Sequence, residues 1–92
     1  MDRGLFRGTQ PRVFATNPQD PTEGRVFVWA WTSWFERIEG ETGAVDFTPI
    51  ASSERELHES LLAQGEPEPE ELDNEFGAMV LQEFLDQTPL FP

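Results

Sequence analysis

The chain has no cysteine, no lysine and a single histidine, His58. Without cysteine there is neither a disulfide framework nor a thiolate metal site, and one histidine cannot complete a zinc set. The acidic stretch 66–71 does not match a calcium loop, which alternates oxygen ligands and then needs a glycine and a terminal glutamate. Neither a metal nor a cofactor is therefore expected. Gly40 and Gly43 bracket a turn rather than a phosphate-binding loop. A nucleophile at Ser33, Ser52, Ser53 or Ser60 would have only His58 as its base. Eighteen acids single out no acid–base pair. The sequence thus points away from an enzyme. His58 lies beside Leu57, Leu61 and Leu62 and reads as a partly buried core residue.

Long apolar runs are also missing. The longest mostly apolar stretch, 26–35, is too short for a helix to span a bilayer. The opening MDRGLFRG has no signal-peptide apolar run. The expectation is a soluble protein of the cytoplasm, in a bacterial host. Arginine as the sole strong cation is what GC-rich coding produces. Halophilic adaptation is the second reading, and thirteen Glu against five Asp, together with segregated charge, weigh against it.

What is present is acid, concentrated in one part of the chain. Residues 1–35 carry Arg3, Arg7, Arg12 and Arg25 against Asp2, Asp20 and Glu23, a net of +1. Residues 36–92 carry fifteen acids against Arg37 and Arg55, a net of −13, and the two sum to −12. Crowding like charges costs stability and creates a strong negative field. That field repels nucleic acid, so no direct nucleic-acid partner is expected, and no membrane partner either. The N-terminal arginines read as neutralisers of the chain's own acids.

Ninety-two residues with eleven aromatics make one domain, 1–92, with a modest core. Residues 1–10 read as a loose arm. Antiparallel strands are expected within 11–48: a short strand over 11–16, a turn-rich stretch 17–24 in which Gly24 permits positive φ, a long strand over 25–39, a turn over 40–43 and a strand over 44–48. Ser53 and Glu56 have capping-box spacing, so a helix over 53–64 is expected, ended by Gly65. The acidic proline linker 66–69 separates it from a second helix over 69–86, whose apolar side is Leu72, Phe76, Met79, Val80 and Phe84. Glu83 falls inside that apolar arc, where its carboxylate either reaches water near the helix end or meets an arginine of the N-terminal arm. Residues 88–92 form a tail. The expected fold is α+β, a small three-stranded antiparallel sheet packed by two C-terminal helices.

Two features carry functional expectations. Read as one strand, 25–35 puts Phe27, Trp29, Trp31, Ser33 and Phe35 on one face and Val26, Val28, Ala30, Thr32 and Trp34 on the other. Both faces are apolar, as in a strand covered on both sides. Were both helices to pack on the smaller face, Phe27, Trp29 and Trp31 would form an exposed patch suited to a homodimer. The second feature is the acid cluster, eleven acids and one arginine between Glu54 and Asp86. Acids four apart on a helix stand about 6 Å apart along its axis, near twice the roughly 3.4 Å advance of successive phosphates on a DNA strand.

In size and charge the chain resembles the small acidic proteins that block nucleases, restriction enzymes or CRISPR effectors, although no motif carries that resemblance. It implies a non-enzymatic, phage- or mobile-element-encoded inhibitor that occupies a basic nucleic-acid channel on a protein partner, such as a nuclease or CRISPR effector subunit. The expected contact residues are Glu66, Glu68, Glu70, Glu71, Asp73, Glu75 and Asp86, with Trp29 and Trp31 as anchors. The alternatives are an immunity protein or antitoxin against one toxin, and a structural module that dimerises through the aromatic face.

Overall fold

Alternating apolar residues and well-placed turns carry most of the chain into one antiparallel sheet. The computed structural model describes residues 11–31 and 33–87, so the expectations for the arm 1–10, for Thr32 and for the tail 88–92 lie outside the described residues. The strands are β1 (Arg12–Ala15), β2 (Val26–Ala30), β3 (Ser33–Glu39), β4 (Val45–Ala51) and β5 (Glu70–Glu71), and the helices α1 (Glu54–Gln64) and α2 (Glu75–Gln87). The strand order is β4-β3-β2-β1-β5, with every neighbouring pair antiparallel. The expected three-stranded sheet is therefore corrected to five strands, while the α+β class and the two helices stand.

Two errors in the sequence reading account for the difference. The long strand over 25–39 is in fact two strands. Ala30 pairs with Ser33, leaving a two-residue link for the reversal. Trp31 takes φ 59° there, in the left-handed region that bulky residues rarely enter. No glycine or asparagine marks the turn. It is held instead by tertiary packing of the Trp31 ring on Phe35 and Phe84, with centroids 6.0 and 5.5 Å apart.

The reversal also resets the alternation. Trp34 lies opposite Trp29 and Phe35 opposite Val28, so both sit on the faces opposite to those expected. β5 is the second surprise. Its two glutamates have poor strand propensity, yet Glu71 pairs with Phe14 and Glu70 with Ala15, and Leu72 N–H donates to the Val13 carbonyl at 2.8 Å.

Each helix covers its own face of the sheet. Leu57 and Leu61 of α1 pack over Phe27 and Trp34, with Phe14, Trp29 and Ala51 around them. Val80 and Phe84 of α2 pack over Val13, Ala15, Val26, Val28 and Ala30, joined by Leu72, Phe35 and Phe47. Leu62 and Met79, which helical spacing places with the apolar residues, are exposed.

The caps follow from local chemistry. Ser53 Oγ accepts from Glu56 N–H at 3.1 Å, while the Glu56 carboxylate takes the Ser52 N–H at 2.8 Å, one residue upstream of the expected reciprocal partner. Gly65 ends α1 with φ 74°. Gly24, by contrast, has φ −130°, so positive φ is not what it provides. A Cβ there would stand 2.7 Å from Thr16 Oγ1, which accepts the Arg25 N–H at 2.9 Å, so glycine is required by close approach.

The second helix begins at Glu75 rather than Pro69, because residues 70–72 are engaged by β1 and Asn74 Oδ1 accepts the Gly77 N–H at 3.0 Å. A Cβ on Gly77 would lie 2.6 Å from the Leu72 carbonyl oxygen and 3.1 Å from Leu72 Cβ. Gly77→Ala is therefore expected to destabilise the protein by about 1–3 kcal/mol, against the usual helix preference for alanine. The check is the denaturant midpoint; an unchanged or raised midpoint would contradict this tight approach.

Candidate functional site

The fate of the charges decides what the surface can do. Among the described residues every arginine is bound to a carboxylate of the chain itself. Arg12 holds Glu71 through Nη2 at 2.6 Å and Nε at 3.2 Å. Arg25 grips Glu36 at 2.8 and 2.9 Å, donates to Gln64 at 2.7 Å and stands 3.9 Å from Glu66. Arg37 grips Glu83 at 2.8 and 3.2 Å, and Arg55 stands 3.6 Å from Glu59 along α1.

The Arg37–Glu83 pair explains the carboxylate in the apolar arc of α2: its partner is a β3 arginine, not one of the N-terminal arm. Glu71 is held below the usual carboxylate range by its hydrogen bond to Arg12. The stabilisation from this pair is accordingly present above the ordinary carboxylate range and lost as pH falls through the lowered value.

The expected contact residues thus separate. Glu71 and Glu66 are engaged internally. Glu68, Glu70, Asp73 and Glu75 are exposed along the β5 edge and the start of α2, with no arginine in salt-bridge range among the described residues. Asp86 lies at the far end of α2, where its carboxylate accepts from Gln82 at 2.9 Å. Glu71 belongs to a strand, so it shares no helix face with Glu75 and Asp86. Trp29 and Trp31 lie on opposite faces of the sheet, and Phe27 is fully buried beneath α1.

Beside the acidic edge, a cleft of about 300 Å³ opens between α1 and the β1 end of the sheet. The sheet supplies an aromatic floor of Phe14, Trp29 and Trp34, brought together by the β1–β2 and β2–β3 registers. The Trp34 ring lies 5.0 Å from Phe14, edge to face, and 5.1 Å from Trp29. The helix adds Glu54, Leu57 and His58, and the linker adds Glu68 and Pro69. Arg12 lines the same cleft, with its guanidinium 5.5 Å from the Phe14 centroid and its fork turned to Glu71.

Trp34 is 5% exposed, and its indole Nε1 is buried without a hydrogen-bond partner among the described residues. His58 is half exposed at the mouth, Nδ1 3.7 Å from Glu68 Oε2, rather than packed into the core as expected. Sequence reasoning missed Phe14, Trp34, Glu54 and His58 as neighbours of Trp29. No local signal could have joined them, because the reversal at Trp31 puts Trp34 on this face.

An open groove of about 420 Å³ on the other face runs between the 21–24 turn and α2, past Phe76 and Met79. Its principal charges, Arg37 and Glu83, satisfy each other. Among the described residues no group of three or more His, Cys, Asp or Glu could hold a metal ion, and no helix is long and apolar enough to cross a membrane. Comparison with family models, with curated proteins and with solved structures finds no match for this chain.

Proposed function

We propose that this protein is a non-enzymatic acidic inhibitor that binds a basic surface on another protein and competes there with nucleic acid. One observation supports it above the others: the described arginines are all engaged internally, while Glu68, Glu70, Asp73 and Glu75, exposed along the β5 edge and the start of α2, have no arginine in salt-bridge range among the described residues. Such an edge meets a cationic groove with fast, salt-sensitive association and adds no chemistry of its own. The negative charge along β5 also discourages another strand from pairing there, which leaves the edge free for a charged contact.

Competition is the test. A panel of restriction endonucleases and CRISPR effector complexes, each holding labelled duplex DNA, is titrated with the protein at low and high salt. Displacement from a target at low salt is expected. It should weaken at least tenfold at high salt and in the triple variant Glu70→Gln/Asp73→Asn/Glu75→Gln, because removing three phosphate-like charges removes the main attraction. Displacement that survives both changes would refute the reading.

A further inference from the structure

The fold uses one device three times. Arg12 lies over Phe14 and is held by Glu71, Arg25 over Phe27 and held by Glu36, and Arg37 over Phe76 and held by Glu83, with guanidinium-to-centroid distances of 5.5, 5.3 and 5.8 Å. In each case the ring supplies a quadrupole face and the carboxylate supplies paired acceptors. At Trp29 the ring and two carboxylates, Glu54 and Glu68, line one cleft, but among the described residues no guanidinium lies over that ring. We infer that this cleft is a receptor for an arginine side chain of a protein partner, the guanidinium resting on Trp29 between Glu54 and Glu68.

Several observations converge on that ligand. The volume, about 300 Å³, sits at the low end of small-ligand sites and suits one long side chain better than a nucleotide. Tryptophan is the best of the aromatic platforms for a cation. Arg12 is neutralised by Glu71, so Glu54 and Glu68 leave the lining negative and disfavour phosphates or carboxylates. The inference deepens the proposed function and rests on it for the source of the arginine, although its test needs no nuclease.

The probe is a short blocked peptide, acetyl-Gly-Arg-Gly-amide, titrated into the full chain and followed by backbone and indole amide NMR shifts. Its control carries citrulline, which has nearly the same shape and no charge. Saturable shifts at the Trp29 and Trp34 indoles and at residues 54–58 and 68–69 are expected with the arginine peptide. The citrulline peptide should bind at least tenfold more weakly.

Glu54→Gln/Glu68→Gln should weaken arginine-peptide binding tenfold or more. Both positions are exposed, so folding is preserved, and unchanged dispersion of the remaining amide resonances verifies this. The triple variant Glu70→Gln/Asp73→Asn/Glu75→Gln, which leaves the cleft intact, should bind the peptide within about twofold of the parent at moderate salt. Equal binding of the citrulline peptide overturns the inference, as does full affinity in the Glu54→Gln/Glu68→Gln variant or a shift map centred on α2. Absence of nuclease competition by the parent protein, with its peptide binding retained, would count against the proposed function and leave the arginine receptor standing.

Discussion

Phe84→Ala is expected to remove about 3–5 kcal/mol of stability, the cost of deleting a fully buried aromatic ring and leaving a cavity. Phe84 has no exposed surface and meets three other rings: Trp31 at 5.5 Å, Phe35 at 5.2 Å and Phe47 at 5.2 Å. It is the contact through which α2, the Trp31 turn, β3 and β4 share one core. Its loss therefore loosens the left-handed Trp31 backbone as well as the helix. A domain of this size has about 5–15 kcal/mol in total, so the variant should be partly unfolded at physiological temperature. Chemical denaturation gives the measurement, with a lowered midpoint and an unchanged slope if both states remain alike. Leu62→Ala is the matched control, since that side chain is exposed on α1 and should cost no more than about 0.5 kcal/mol. Comparable costs for the two would mean that Phe84 is not the centre of the core.

The second large effect concerns Arg37. Its side chain is 12% exposed and Glu83 is 28% exposed, and the Arg37 guanidinium also lies over Phe76. Arg37→Ala leaves the Glu83 carboxylate against an apolar helix face with no counter-charge. The expected cost is about 2–4 kcal/mol, between that of a charged hydrogen bond and that of a broken buried pair. Arg37→Lys should recover less than half of it, because an ammonium cannot reproduce the two-pronged grip.

Removing both charges in Arg37→Leu/Glu83→Leu should restore most of the stability, as apolar replacements of partly buried pairs commonly do. Thermal melts of the parent and the three variants make the comparison. If Arg37→Ala melts with the parent, the pair is only a surface contact. The bond to Glu83 raises the Arg37 pKa above the ordinary arginine value. The arginine's share is thus complete below that value and lost only as pH rises through the raised one, so it should not vary near neutrality.

Both predictions lie where local pattern gave least guidance. Helix α1 was legible to its ends, because Ser53 and Gly65 act through the backbone beside them. The 40–43 hairpin was legible for the same reason, with Gly40 N–H on the Ala44 carbonyl at 2.8 Å and Gly43 at φ 88°. Strand β4 ran past its expected end because an edge strand tolerates Pro49, with a register shift opposite Trp34 and Phe35 absorbing the mismatch. Of the candidate site, the acids of 68–75 were visible as a charge run. Which of them meets an arginine among the described residues was not, since Glu71 meets Arg12 across 59 positions of sequence.

The amino-acid order alone determined the net charge, which is a sum over residues, and the α+β class, the caps of α1 and the 40–43 turn, which rest on patterns among residues close in sequence. Tertiary structure decided the reversal at Trp31, the fifth strand, the partner of Glu83 and the aromatic cleft beneath α1. Each of these depends on long-range packing energies large enough to override weak or contrary local preferences. A tryptophan in left-handed backbone and two glutamates in a strand are stable here because Phe84, Arg12 and the β1 backbone meet them in space.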